Sequence, residues 1–283
     1  MNMQKRVAAI HDISCFGRCS LTVALPIISA AGIETSVIPT AVLSTHTGGF
    51  TGFTYRDLTD DIRGIVDHWV SLGLKFDAVY TGFLGSFEQI DIMAETFGRL
   101  RSEDTTIIVD PVMADNGELY KIFPKDFPSG MRRLCSIADV MMPNITEAVL
   151  MLNEEYTEGP YTAEYIEGLL KRLGGIGAGK VILTGVYLNE NELGAASYDV
   201  ATDKMLYSFA ERIPGYYHGT GDVFGSAVVA SLMNGLSLER ATAVAVRFTA
   251  ESIKRTYLSE TDIRFGVNSE AGLGDLMKYI RNE

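Results

Sequence analysis

Short apolar runs rich in β-branched residues alternate along this chain with longer segments in which apolar positions recur at a helical period. The apolar runs predict strands at 7–10, 36–42, 78–81, 106–109, 140–142 and 181–184. The periodic segments predict helices near 18–31, 57–72, 88–101, 129–137, 144–152 and 162–173. Because crossover helices join parallel strands, this alternation predicts a mostly parallel sheet with helices on both faces.

The alternation is interrupted once, in the last third of the chain. Residues 193–200 and 205–213 predict two antiparallel strands, and the segments that follow predict helices at 221–235, 238–255 and 269–281. No linker rich in proline, glycine or serine divides the chain, so we predict one α/β domain over residues 1–283. In such sheets ligands bind beyond the carboxyl ends of the strands. The polar residues that follow each strand are therefore the candidate site residues.

Composition narrows the classes of function. The formal net charge of −12 disfavours nucleic acid or an anionic membrane as a partner. No apolar run reaches the length of a membrane span, and the one near the N-terminus is too short for a signal peptide. The low, odd number of cysteines (Cys15, Cys19 and Cys135) fits reduced thiols. We therefore expect a cytoplasmic protein.

The sharpest local feature is the segment 218–225, which reads His-Gly-Thr-Gly-Asp-Val-Phe-Gly before an apolar helix. Glycines at a helix start let several backbone N–H groups point at one anion, which the helix dipole also attracts. A carboxylate beside such an anion hole is suited to accept a proton. We predict that Gly219, Thr220 and Gly221 bind a transferring phosphoryl group while Asp222 acts as the base.

Two other interpretations of this turn stay open. Asp222 or Thr220 could serve only as the N-cap of the helix. The spacing of Gly219, Gly221 and Gly225 also loosely fits a dinucleotide fingerprint. Such fingerprints follow the first strand of a fold, however, and Asp222 would repel a pyrophosphate.

Several acids follow the predicted strands. Asp110 and Asp115 come after the strand at 106–109, and Asn144 and Glu147 begin a predicted helix. Carboxylate and amide oxygens suit Mg²⁺, which phosphoryl transfer from ATP requires. Asn144 and Glu147 could equally form a capping box at the helix start.

Seven segments resemble, in the same order, those of pyridoxal/pyridoxamine (vitamin B6) kinases in the ribokinase superfamily. They are 9–17, 44–48, 77–83, 110–115, 142–147, 181–185 and 219–222. The resemblance implies a three-layer α/β/α ribokinase-like fold and transfer of the ATP γ-phosphate to a hydroxymethyl group. It also implies a homodimer, and it leaves activation by a monovalent cation open.

The resemblance assigns roles to particular residues. The implied ATP-binding residues are Asp110, Asn144, Glu147, Thr184, Thr220 and Phe224. The implied metal residues, acting directly or through water, are Asp110, Asp115 and Glu147. The implied residues for the B6 vitamer are Asp12, His46, Thr47, Tyr80 and Asp222. For Phe224 and Tyr80, an ordinary place in the core is the alternative. Residues 116–127 are expected to form a mobile loop that closes over ATP.

The chain also departs from the family pattern. Asp12 stands where these kinases usually have a serine, Thr45 replaces an asparagine, and Gly185 stands where a serine is common. An acid near the first turn is typical of hydroxymethylpyrimidine kinases, so that substrate is the alternative. A nicotinamide-dependent oxidoreductase would need a glycine fingerprint at 10–20, which is absent. A non-catalytic nucleotide-binding protein stays open.

Overall fold

The computed structural model describes residues 4–282, and a nine-stranded sheet organises them. Its strands are β1 (Arg6–Ser14), β2 (Glu34–Leu43), β3 (Tyr55–Asp57), β4 (Ala78–Thr81), β5 (Thr106–Val109), β8 (Val140–Met141), β9 (Lys180–Val186), β10 (Glu192–Asp199) and β11 (Lys204–Glu211). A separate hairpin contains β6 (Ala114–Asp115) and β7 (Glu118–Leu119).

The strand order across the sheet is β11-β10-β9-β8-β5-β4-β1-β2-β3. The six strands from β9 to β2 in this order pair in parallel. Antiparallel pairs close both edges: β3 on β2 at one side, and β10 and β11 on β9 at the other. The predicted mostly parallel sheet is confirmed, and so is the antiparallel pair in the last third of the chain.

The helices lie close to their predicted positions. They are α1 (Leu21–Ala30), α2 (Thr59–Ser71), α3 (Phe87–Leu100), α4 (Phe127–Cys135), α5 (Ile145–Leu152), α6 (Ala163–Gly174), α7 (Thr220–Met233), α8 (Leu238–Leu258) and α9 (Leu273–Arg281). Short 3-10 turns precede α9. No helix in the described part of the chain is both long and apolar enough to span a bilayer.

Two apolar cores lie on opposite faces of the sheet. Along β1, Val7 faces one core and Ala8 faces the other, as the two-residue period of a strand requires. The core on the side of Val7 contains residues of α1, α7, α8 and α9. The core on the side of Ala8 contains residues of α2 to α6. The predicted three-layer α/β/α arrangement is therefore confirmed.

Local structure differs from expectation in two places. The first strand does not end at Ile10 but continues to Ser14, because the polar residues between them are buried. The expected mobile loop at 116–127 begins instead as part of the β6–β7 hairpin. The backbone N–H of Gly117 donates to the Thr146 hydroxyl group at 3.0 Å, which ties this hairpin to α5.

Candidate active site

The carboxyl ends of β1, β4, β5, β8 and β9 form one side of the sheet, which we call the ligand edge. Asp12 lies near the end of β1, Asp110 follows β5, and Asn144 follows β8. The start of α7 lies near the same place, since the charge of Asp12 raises the pKa of Asp222. The charge of Asp222 in turn raises the pKa of Asp110. The fold thus gathers acids from the beginning, middle and end of the chain.

The first turn of α7 is open to a ligand. Its N-cap is Gly219, which has a left-handed backbone with φ of 75°, and no side chain caps the helix. A Cβ atom on Gly219 would lie 2.0 Å from the carbonyl oxygen of Arg18, so a larger residue does not fit. The N–H groups of Thr220, Gly221 and Asp222 have no carbonyl acceptor four residues earlier within the helix. This is the geometry that an anion hole requires.

Asp222 is half-buried in this first turn. Burial raises the pKa of its carboxyl group to about 7, and the charge of Asp12 adds to this, whereas hydrogen bonding to the Ser20 backbone opposes it. At neutral pH the group is present in both protonation states, which suits a general base. The interpretation of Asp222 or Thr220 as the N-cap is wrong, because Gly219 holds that position.

Asp12 is the second buried acid near the start of α7. Asp12 is 5% exposed. The Ser14 hydroxyl group donates to its carboxylate at 3.2 Å. Burial raises the pKa of Asp12, and hydrogen bonds from Ser20 and Ser14 offset only part of this rise. Because the carboxyl group lies beside Asp222, it can accept a hydrogen bond from a polar ring group held near the base.

His46 is bound to the backbone through both ring nitrogens. Its Nδ1 accepts from the Gly48 N–H at 3.1 Å, so Nε2 carries the proton and donates to the Arg264 carbonyl at 2.6 Å. Burial lowers the pKa of His46, which keeps the ring neutral. The predicted contact with a ring substrate could therefore involve only its ring face. Thr47, next along the loop, is exposed.

The ring of Tyr80 is buried and is not accessible from the ligand edge. It is 0% exposed and packs edge-on against buried His11 with ring centroids 4.5 Å apart. Its hydroxyl group occupies the space beside Gly225, where a Cβ atom would lie 2.4 Å away. The prediction that Tyr80 contacts the B6 vitamer is wrong, because α7 covers this residue. Its alternative interpretation as a core aromatic residue is confirmed.

Asn144 and Glu147 form the capping box of α5. The Asn144 side chain accepts from the Glu147 N–H at 2.8 Å, and the Glu147 carboxylate accepts from the Asn144 N–H at 2.9 Å. The other carboxylate oxygen of Glu147 accepts from the Met113 N–H at 3.0 Å. Asn144 also donates to the Ala114 carbonyl at 2.8 Å. These bonds fix the segment between β5 and the β6–β7 hairpin.

The three acids predicted to hold a metal are not assembled as a set of direct ligands. Glu147 is engaged by backbone amides, and the Asp115 carboxylate accepts from the Tyr216 hydroxyl group. Between residues 4 and 282, no three His, Cys, Asp or Glu side chains come close enough to hold an ion by themselves. Direct binding by all three acids is therefore wrong. Burial raises the pKa of Asp110 well above its usual range, and Glu147 and Asp222 raise it further.

The remaining predicted nucleotide residues have different surroundings. Thr184 lies in β9 at the ligand edge, beside Asn144 in an isolated bridge. The Thr220 hydroxyl group donates to the Tyr217 carbonyl at 3.3 Å. Phe224 is 7% exposed and belongs to the apolar core beneath α7. This position favours the core interpretation of Phe224 over a place in an adenine slot.

Two residues at the site carried no predicted role. His218 immediately precedes Gly219, and its ring lies 5.2 Å from that of His46. Tyr216 reaches the β6–β7 hairpin through its hydroxyl group. Their position just before the glycine-rich turn could have indicated a role at the site. Their partners, Asp115 and His46, could not be predicted because they lie far away in the sequence.

The chain matches the model of the family described as phosphomethylpyrimidine kinase over residues 25–266. A crystal structure from Bacteroides thetaiotaomicron, described as a phosphomethylpyrimidine kinase and containing pyridoxal, shares 38% identity and a TM-score of 0.92 and covers 96% of each chain. Pyridoxal kinase from Lactobacillus plantarum shares 30% identity and a TM-score of 0.88, covering 100% of this chain and 99% of that one.

Among curated proteins, a hydroxymethylpyrimidine/phosphomethylpyrimidine kinase of Mycobacterium tuberculosis is 26% identical over 255 residues, 89% of each chain. These similarities extend over nearly the whole length and agree with the sheet and the helix start described above. The predicted ribokinase-like fold and kinase activity are confirmed. The chain belongs to the phosphomethylpyrimidine kinase family and is a pyridoxal kinase-like, ATP-dependent kinase of the ribokinase superfamily.

Proposed function

We propose that this kinase transfers the γ-phosphate of ATP to the 5′-hydroxymethyl group of pyridoxal, pyridoxine or pyridoxamine. Asp222 accepts the proton of the attacking hydroxyl group. The backbone N–H groups of Gly219 to Asp222 hold the phosphoryl group during transfer. The observation that carries the proposal is the uncapped start of α7, with free amides beside a carboxyl group whose pKa is about 7.

The backbone amides and the carboxyl group of this turn have different tasks in phosphoryl transfer. Free amides at a helix start stabilise the negative charge that develops on the transferred group. Asp222 needs a raised pKa to compete for the proton of an alcohol, and burial supplies it. If the carboxyl group capped the helix instead, it would be held away from the substrate. With Gly219 as the N-cap, the Asp222 carboxyl group does not cap α7 and is hydrogen-bonded to the Ser20 backbone instead.

Mg²⁺ is proposed to accompany ATP and to neutralise phosphate charge. Asp110 fits a contact with this ion, because the residue is 7% exposed and its carboxyl group lies near the charges of Glu147 and Asp222. A nearby cation would stabilise the ionised form of such a buried acid. Phosphate oxygens and water would supply most of the coordination shell, as Mg²⁺ prefers. Asp115 and Glu147 would contribute through water.

The ring of the acceptor is proposed to lie between Asp12 and the loop that contains His46 and Thr47. Asp12 can form an ion pair with a protonated pyridine nitrogen or accept from a polar substituent. The Bacteroides relative, which is 38% identical, crystallised with pyridoxal, which supports a pyridine ring as the substrate.

Hydroxymethylpyrimidine is the second candidate acceptor. The observation that favours it is Asp12 itself, since a buried carboxylate can bind the exocyclic amino group of a pyrimidine. The Mycobacterium tuberculosis relative is named as a kinase of this compound. Both candidates use the same base and the same anion hole.

The test is ADP release with Mg-ATP against pyridoxal, pyridoxine, pyridoxamine, hydroxymethylpyrimidine and ribose. Asp222→Asn is the control for phosphoryl transfer at this site, and Asp12→Asn tests ring recognition. We expect turnover with B6 vitamers and a rise in KM for them in Asp12→Asn. Turnover with hydroxymethylpyrimidine alone would show that this compound, and not a B6 vitamer, is the acceptor. Turnover with ribose alone, or with none of these compounds, would contradict the proposal.

Four further properties stay predictions. The nine-stranded sheet, which includes both β1 and β11, supports one domain across the described residues, and residues 1–3 and 283 of the predicted domain lie outside them. A homodimer is expected from the family resemblance, a cytoplasmic location is expected from the composition, and activation by a monovalent cation stays open. Size-exclusion chromatography with light scattering and an assay with K⁺ or Na⁺ as chloride salts would test the first and the last of these three.

A further inference from the structure

A series of contacts links three segments that contribute residues to the candidate site. Tyr216, in the loop before α7, donates its hydroxyl group to Asp115 of the β6–β7 hairpin. Its ring meets that of His218 edge to face, with centroids 5.1 Å apart. The ring centroid of His218 lies 5.2 Å from that of His46, which belongs to the loop after β2. We call Asp115, Tyr216, His218 and His46 the aromatic bridge.

The end of the aromatic bridge at His46 is anchored firmly. His46 is held by hydrogen bonds to the backbone of Gly48 and Arg264. His218 packs directly on Gly48, where a Cβ atom would lie 2.5 Å from the His218 Nδ1 atom. A side chain at this position would therefore displace the His218 ring.

The end at Asp115 is also anchored. One carboxylate oxygen accepts from the Tyr216 hydroxyl group, and the other accepts from the Asn116 N–H at 2.9 Å. A tyrosine hydroxyl group carries its proton at neutral pH, so Tyr216 is the donor in its bond to Asp115. The hairpin is thus connected to the loop that leads into Gly219.

Burial of apolar surface does not account for the position of Tyr216, because the residue is 47% exposed. What Tyr216 does provide is a connection between two parts of the site that are otherwise separate. The hairpin contains Asp115, which the proposed function places on the nucleotide side. The loop after β2 contains His46 and Thr47, which it places on the side of the ring alcohol.

We propose that the aromatic bridge couples the binding of the two substrates, with Tyr216 as a positioning residue. Whichever substrate binds first fixes the exact position of the hairpin or the loop, and the bridge transmits that position to the other element. The second substrate then meets an element that is already in place and binds more tightly. Because coupling of binding is reciprocal, the same factor applies in both directions. This inference rests on the proposed function for the identity of the two sides.

The test uses Tyr216→Phe, which removes one hydroxyl group and keeps the ring. Calorimetry would measure the Kd of Mg–AMP-PCP with and without saturating pyridoxal. We expect the wild type to bind the nucleotide at least about fivefold more tightly with pyridoxal present. In Tyr216→Phe this ratio should fall to nearly one, while the Kd of pyridoxal alone changes little. KM for ATP should rise more than kcat falls.

The matched control is Tyr198→Phe. Tyr198 also donates to an aspartate, Asp203, in the turn between β10 and β11. Tyr198 pairs with Val181 near the start of β9, at the opposite side of the sheet from the ligand edge. The coupling ratio should be unchanged in this variant. Gly48→Ala, which displaces His218 from the other end of the bridge, should lose the coupling as Tyr216→Phe does. Coupling that persists in both bridge variants would overturn the proposal.

A test without ligand separates the bridge from the proposed function. Lys121 is exposed directly after the hairpin, so trypsin can report on hairpin opening. We expect Tyr216→Phe to be cleaved there several-fold faster than the wild type and Tyr198→Phe, and equal rates would contradict the bridge. If pyridoxal does not bind the wild type, the proposed acceptor is wrong. Calorimetry with hydroxymethylpyrimidine then tests the coupling.

Discussion

Two helices, α5 and α7, begin at the ligand edge with an acid at their third position, and the two acids have different surroundings. In α5, Asn144 caps the helix, and both carboxylate oxygens of Glu147 accept backbone N–H groups. In α7, Gly219 is the N-cap, no side chain caps the helix, and Asp222 is left available. An acid at the same position thus takes part in capping one helix and does not cap the other.

The difference shows how a helix start becomes a structural or a chemical element. Every helix begins with N–H groups that lack partners within the helix. The side chains of Asn144 and Glu147 satisfy two N–H groups at the start of α5. They also bind Met113 and Ala114, so this helix start stabilises the segment around those residues. The glycine cap of α7 satisfies none with a side chain. Its donors are therefore available to a phosphoryl group, with an acid beside them.

The largest expected effect is that of Asp222→Asn. Asparagine has nearly the same shape but cannot accept the proton, so we expect kcat to fall about 10²- to 10⁴-fold. The Kd of Mg–AMP-PCP should change only a few-fold. Single-turnover rates and calorimetry would measure these two quantities. A variant that turns over at nearly the wild-type rate would remove Asp222 from the mechanism.

Glu147→Gln is the matched variant in α5. Its new NH₂ group would face the N–H of Met113 or Asn144, and an unsatisfied buried donor costs about 1–3 kcal/mol of unfolding free energy. We expect a smaller loss of kcat than in Asp222→Asn. Denaturant unfolding and the ADP assay would measure the two effects. A larger loss of kcat in Glu147→Gln would reverse the comparison.

Gly219→Ala and Gly221→Ala form the second test. At Gly219 the left-handed backbone and the collision with Arg18 should lower the unfolding free energy by about 2 kcal/mol or more. At Gly221 a Cβ atom meets nothing within 4 Å, so the fold should tolerate alanine. Its methyl group should still lower kcat if a phosphoryl group approaches there. Full activity of a stable Gly221→Ala variant would place the phosphoryl group elsewhere.

The third prediction concerns pH. Asp222 acts as a base only when ionised, and its pKa of about 7 means that protonation inactivates it on the acid side of neutrality. We expect kcat/KM at pH 6 to be about tenfold lower than at pH 8. Parallel profiles with pyridoxine and pyridoxamine would separate this from ionisation of the acceptor. An acid limb centred below pH 5 would show that burial does not raise the pKa of the base.

The smallest expected effect is that of Asn144→Ala. Loss of an N-cap side chain lowers the unfolding free energy by about 1 kcal/mol. Ser237→Ala at the start of α8 is the control, because Ser237 caps that helix by accepting from the Arg240 N–H at 3.3 Å. The loss of stability should be somewhat larger in Asn144→Ala, because its side chain also donates to the Ala114 carbonyl. A larger loss of Mg–AMP-PCP affinity in Asn144→Ala than in Ser237→Ala would show that Asn144 also acts on the nucleotide.

Much of the candidate site could be predicted because its residues occupy local, patterned positions. The glycine-rich turn, the capping pair of α5 and the acid after β5 each follow from a short stretch of sequence. Tyr80 and His46 could not be placed in this way. Tyr80 sits in a strand whose face is covered by α7, and the ring nitrogens of His46 are held by Gly48 and by distant Arg264.

The sequence by itself determined the order of strands and helices, the three-layer class and the acid-bearing turn, since hydrophobic periodicity and glycine chemistry act over a few residues. Only the tertiary structure decided which acid caps and which is free, and that Tyr216 reaches Asp115 across the site. These outcomes depend on contacts between segments far apart in the chain. Burial, pKa values and such contacts arise only when the sheet brings those segments together.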